Sequence, residues 1–116
     1  MSQLLHKNTV SSEDLEQLLQ ERAEGKTDFV LVDVREAMEY TMGHIKGVDL
    51  LKPTSDFQGW AEELLEETKE KIVILTCRTD NRSGQVQAIF KRNGHPCVIN
   101  HAGGIVSYRG EIEKGS

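Results

Sequence analysis

Apolar positions along the chain follow two different periods. Phe29-Val30-Leu31-Val32 and Ile72-Val73-Ile74-Leu75 are unbroken apolar runs, the pattern of strands covered on both faces. Val98-Ile99 is a third, shorter run. Between these the spacing becomes helical. Leu15, Leu18 and Leu19 form one apolar stripe behind Ser11-Ser12-Glu13-Asp14, a capping serine with acids in the first turn. Gly25 is read as the stop of that helix. Ala37 to Met42 reads as a short helix ending at Gly43. Val48 to Leu51 reads as a brief strand cut off by Pro53. Thr54, Ser55 or Asp56 is expected to cap a helix whose apolar face is Trp60, Ala61, Leu64 and Leu65. Val86, Ile89 and Phe90 mark another helix, ended by Gly94, and one more short helix is expected after Ile105.

Strands alternating with helices predict an α/β fold with a parallel sheet, right-handed crossovers and helices on both faces. In such sheets ligands bind at the carboxyl ends of the strands. Cys77, just past Leu75, falls at such an end.

Length and composition narrow this picture. With 116 residues the chain is expected to form a single domain over 1–116, its core running from about 10 to 110. The net charge of −5 and the acidic pI near 5.3 argue against a nucleic-acid-binding protein, but leave room for a small anion at a locally positive site. Two cysteines, Cys77 and Cys97, are too few for a disulfide framework, and their sparseness fits a reducing compartment. No leader is visible in Met1 to Val10, and no apolar stretch has the length of a membrane span. The expectation is a soluble, cytoplasmic protein with no membrane or nucleic-acid partner. The face opposite Trp60 carries Glu62, Glu63, Glu66, Glu67 and Glu70 against Lys69 and Lys71, which reads first as solvated surface and second as a docking face.

The segment Cys77-Arg78-Thr79-Asp80-Asn81-Arg82-Ser83 concentrates the chemistry. A polar loop with two arginines follows a buried strand and opens a helix. Backbone N–H groups turned inward, a helix N-terminus and two guanidinium groups all lower a thiol pKa, and the thiolate is the nucleophile. The competing reading is a small, buried, unreactive cysteine. On these residues alone, both stay open.

In this order and at these separations, the Cys77-to-Arg82 loop, Asp33-Val34-Arg35-Glu36, Gly43-His44-Ile45-Lys46-Gly47 and Gly103-Gly104 resemble a single-domain rhodanese, a sulfurtransferase, from about Val10 to Gly110. The resemblance implies a three-layer sandwich with a central five-stranded parallel sheet. It implies catalysis by Cys77, which takes sulfane sulfur from thiosulfate or polysulfide as a persulfide and passes it to a thiol or to cyanide. The loop from Arg78 through Thr79, Asp80, Asn81 and Arg82 to Ser83 would bind the substrate. Arg82 is the leading residue for the donor's oxygens, and Arg78 the second. The implied partners are a small anionic sulfur donor and a thiol or protein acceptor, with a homodimer admissible. No cofactor and no metal is expected.

Asp80 departs from the family pattern, since many members carry glycine there. Aspartate tolerates φ > 0 better than most residues, and its charge opposes the two arginines, which argues against thiosulfate as the preferred donor and leaves polysulfide or a protein persulfide in its place. Two other functions compete. A rhodanese-fold docking module would use the acidic face. A cysteine phosphatase or arsenate reductase on a related scaffold would need five residues between cysteine and arginine, where this chain has four.

Asp33 and Arg35 are expected at the strand edge beside the Cys77 loop, as an ion-pair network supporting it or, for Arg35, as a substrate contact. Gly103-Gly104 is expected to make a tight turn beneath the loop. Cys97 is expected to be packed and inert, His44 to be structural, and His6 and His95 to lie on the surface.

Overall fold

A computed structural model describes residues 3–115. Met1 and Ser2, on which the reading of a missing leader partly rests, lie outside them. Strands β1 (Thr9–Val10), β2 (Val30–Asp33), β4 (Leu50–Leu51), β5 (Val73–Thr76) and β6 (Val98–His101) form a five-stranded sheet in the order β1-β6-β5-β2-β4. Every pairing in it is parallel. Helices α1 (Ser12–Ala23), α2 (Ala37–Met42), α3 (Phe57–Thr68) and α4 (Asn81–Arg92) connect the strands. A small antiparallel ribbon pairs β3 (His44–Ile45) with β7 (Ile112–Glu113). No helix among the described residues is long and apolar enough to cross a membrane.

Alternation along the buried strands sorts the core into two layers. Val73, Leu75 and Cys77 face one way and pack with Trp60, Ala61 and Leu64 of α3 and with Val86 and Phe90 of α4. Ile74 faces the other way and packs with Leu31, Ile99 and the α1 residues Leu15 and Leu18. Both faces of the sheet are therefore covered, which is why its strands read as unbroken apolar runs. The period of 2 carries Cys77 onto the α3/α4 face, where α4 begins.

Capping explains the helix starts. Ser11 and Asp14 form a reciprocal capping box at α1, with Asp14 N donating to Ser11 Oγ at 3.0 Å and Ser11 N to Asp14 Oδ2 at 3.1 Å. Asp56 precedes α3 without a side-chain cap, because a 3-10 turn at Thr54–Asp56 leads into the helix. Glu62, Glu63, Glu66, Glu67 and Glu70 are all exposed along α3 and the turn after it.

The short helix expected after Ile105 is a 3-10 helix, Ile105–Ser107. β1 and the β3–β7 ribbon are additional, and two-residue strands carry no periodicity to detect. His95 is buried rather than on the surface. Its Nε2 lies 3.2 Å from Thr68 Oγ1, Cys97 N donates to its Nδ1 at 3.1 Å, and its ring stacks on Phe90.

Candidate active site

Cys77 follows β5 directly and is 1% exposed. Its sulfur receives hydrogen bonds from Asp80 N at 3.2 Å, Ser83 N at 3.4 Å and Ser83 Oγ at 3.3 Å. Burial pushes the thiol pKa up. The Ser83 hydroxyl and the Ser83, Asp80 and Thr79 amides push it down and together prevail, so the thiol lies below its ordinary value. These donors converge because Asp80 adopts φ 111°, a left-handed conformation that turns the chain from loop into α4. Ser83 is fully buried and donates both to Cys77 Sγ and to Asp80 O.

Ser83→Ala removes the one side-chain donor. The Cys77 pKa should rise, and the thiolate's reaction with a small electrophile at neutral pH should slow about tenfold. A pH series of alkylation rates checks this. An unshifted profile would mean the amides alone hold the charge.

A second segment clasps the loop from outside. Ile105 N donates to Cys77 O at 2.9 Å and Val106 N to Arg78 O at 3.2 Å. Gly103 N donates to Asp80 Oδ2 at 2.9 Å. One Asp80 carboxylate oxygen is thus held by the clasp. At Gly104, with φ 64°, an added Cβ would sit 2.3 Å from Arg78 O. This is the close approach that the Gly103-Gly104 pair allows.

The charged residues fall into two linked groups. Arg35 is buried and holds buried Asp33 with Nε at 3.1 Å from both carboxylate oxygens and Nη2 at 2.8 Å from Oδ2. Arg35 Nη2 also donates to Gly43 O at 2.7 Å, tying down the end of α2. From α2, Glu39 reaches Arg82 in a bidentate pair, Nη1 to Oε2 at 2.7 Å and Nη2 to Oε1 at 2.9 Å. The Arg82 bond is the main reason the Glu39 pKa falls to about 2. Arg78, Thr79 and Asn81 are exposed at the rim.

Sequence reasoning missed Glu39. It also missed His101, which is fully buried at the end of β6 with Nδ1 2.8 Å from Thr76 Oγ1 and Nε2 2.8 Å from Ser12 Oγ. Ser12 Oγ continues to Ser107 Oγ at 2.6 Å, and Ser107 Oγ donates to Gly104 O at 2.9 Å. Desolvation lowers the His101 pKa to about 4, against a small opposing effect of Asp80.

A histidine kept neutral by folding takes up a proton more readily when unfolded. Its contribution to stability is complete above its ordinary pKa of 6.5 and is lost as pH falls from there toward 4. Between pH 7.5 and 5.0 the loss should be about 2 kcal/mol, read from urea unfolding. Burial lowers the His95 pKa in the same direction, so His101→Gln should remove most of this dependence and not all of it. A full slope in that variant would overturn the assignment to His101.

Cys97 lies at the opposite, amino-terminal end of the sheet's strands. Val73 pairs with Val98, which sets Cys97 beside Ile72, roughly 16 Å along the strands from Cys77. That is too far for a disulfide. Its thiol donates to Leu5 O at 3.4 Å, and burial raises its pKa.

A model of the rhodanese-like domain matches residues 14–111. The chain is 31% identical over 84 residues to the tRNA uridine(34) hydroxylase of Cronobacter sakazakii, covering 70% of this chain and 24% of that protein. It is 29% identical to the probable adenylyltransferase/sulfurtransferase MoeZ of Mycobacterium tuberculosis, covering 72% and 21% respectively. It thus spans about a quarter or less of these two relatives. Among solved structures, a rhodanese-like domain protein from Staphylococcus aureus superposes with a TM-score of 0.73 at 24% identity, over 95% of this chain and all of that one. A rhodanese-related protein from Thermoplasma volcanium gives 0.74 at 20% identity, over 92% and 98%. These two likenesses concern the fold.

Proposed function

This chain belongs to the rhodanese-like domain family, and from that premise we propose that it is a sulfurtransferase working through a persulfide on Cys77. The observation that carries the reading is the sulfur cradle, in which Asp80 N, Ser83 N and Ser83 Oγ all point at Cys77 Sγ. Donors fixed before reaction cost no reorganisation when charge arrives. With thiosulfate, the Cys77 thiolate attacks the outer sulfur. The Sγ–S bond forms, the donor S–S bond breaks, and its electron pair leaves with sulfite. The terminal sulfur of the persulfide then bears the negative charge. An acceptor thiolate attacks that sulfur in turn, forming its own persulfide and releasing the Cys77 thiolate; cyanide attacks likewise and leaves as thiocyanate. The transfer needs neither a base nor a cofactor, because each nucleophile enters as an anion.

The loop favours sulfur transfer over phosphate chemistry. Four residues separate Cys77 from Arg82, one fewer than the cysteine phosphatase loop would have, which makes a tighter pocket better suited to a sulfur atom than to a tetrahedral phosphate. Intact-protein mass spectrometry after incubation with thiosulfate, and separately with polysulfide, tests the proposal. A gain of one sulfur, reversed by cyanide and absent in Cys77→Ser, is expected. No gain from either donor would overturn the reading and put a docking module, with the acidic α3 face as its contact, in first place.

A further inference from the structure

Four large apolar side chains stand well out in solvent among the described residues: Met38, Met42, Val106 and Ile112, at 77%, 75%, 61% and 44% exposure. They are not scattered. Met42, Val106 and Ile112 line a cavity of about 420 Å³ together with Arg35, Glu39 and Arg78. Met38 lies one turn before Met42 on α2. The opening beside the Cys77 loop therefore has an apolar wall, unlike the polar rim a small oxyanion would want.

The positive charge of Arg35, and of Arg82 beyond Glu39, is largely neutralised. Arg35 is committed to Asp33 and Arg82 to Glu39. Among the described residues only Arg78, of the three, has no carboxylate partner. Arg82 belongs to the loop closed around the reacting sulfur, between Asp80 and Ser83, whose amides donate to Cys77 Sγ. A dianion seeking Arg82 must displace Glu39 or settle beside a like charge, and like-charge contact is a means of rejecting the wrong ligand.

We infer that Glu39 is a specificity-determining residue, turning the site away from oxyanion donors such as thiosulfate and toward the hydropersulfide of an organic thiol, R–S–SH, whose carbon flank meets the apolar wall. The inference rests on the persulfide reading of Cys77. In the step, the Cys77 thiolate attacks the outer sulfur. The Sγ–S bond forms, the donor S–S bond breaks, and the electron pair goes to the inner sulfur. That sulfur takes the proton from the outer one, so R–SH leaves and Cys77 keeps the persulfide anion.

The test compares second-order loading of Cys77 from thiosulfate and from benzyl hydropersulfide, followed by intact mass. The ratio of the two rates is internal to each variant, so partial unfolding cancels. The intact chain should favour the hydropersulfide. Glu39→Gln, which keeps the shape and removes the charge, should move the ratio about tenfold toward thiosulfate. Adding Arg82→Gln should abolish that shift. Met42→Gln should move the ratio toward thiosulfate independently, by weakening the apolar wall. An unmoved ratio in Glu39→Gln, or a shift that survives loss of Arg82, overturns the inference while leaving the persulfide carrier intact. Failure of both donors to load the unaltered chain overturns the carrier and the inference together.

Discussion

Gly104→Ala should abolish sulfur loading of Cys77, by a factor of a hundred or more, and cost about 3 kcal/mol of stability. Gly104 has φ 64° and ψ −168°, a region open essentially to glycine alone. A methyl group there would meet Arg78 O at 2.3 Å, Arg78 C at 2.5 Å and Thr79 N at 2.6 Å. All three atoms are backbone of the reactive loop, so no rotamer change relieves the contact. The loop must move, and with it the amides aimed at the sulfur. Gly103→Ala makes the control. It also has positive φ, but its Cβ would meet chiefly the Ser107 side chain, with Oγ at 2.6 Å, and a hydroxymethyl can rotate away. Loading by Gly103→Ala should fall less than tenfold, at a cost of about 1 kcal/mol. Similar losses in both variants would show that turn conformation matters and the close approach does not. Urea unfolding and intact-mass loading rates measure both.

Arg35→Ala should cost about 4 kcal/mol in urea unfolding, because it strands a charge. Asp33 is 1% exposed and Arg35 is 5% exposed. Without the guanidinium, the Asp33 carboxylate keeps the Arg35 backbone N–H at 3.0 Å, which cannot balance it. Arg35→Lys should recover less than half of the loss, since an ammonium group cannot span both carboxylate oxygens and Gly43 O as the fork does. Full stability in Arg35→Ala, with only donor binding weakened, would instead make Arg35 a substrate contact.

How much of this was legible depended on how far apart the interacting residues lie in sequence. The two apolar runs became β2 and β5 because a strand covered on both faces leaves an unbroken signature. The position of Cys77 followed from its place after Leu75. Loop chemistry could be anticipated because its parts are contiguous. Glu39 could not be, since its carboxylate serves Glu36 N three residues away and Arg82 forty-three residues away. Spacing along one helix reveals only the first of these. His101 leaves no local signal either, since its ring partners are Thr76 and Ser12, 25 and 89 residues distant. The ribbon of β3 and β7 joins His44 to Glu113, and neither two-residue segment has a pattern of its own.

The clasp over the reactive loop also orders events in time. Cys77 emerges from synthesis well before Gly103, Ile105 and Val106, whose amides hold Asp80, Cys77 and Arg78. β1 must wait longer still for its neighbour, since Thr9 pairs with Asn100. Pairings this distant form late and slow the final step of folding. From the synthesis of Cys77 until Gly103, Ile105 and Val106 are made, a nascent chain therefore carries a loop without its clasp. Its sulfur acquires the full set of supports only when the carboxyl-terminal segment docks, so reactivity arrives with the completed fold.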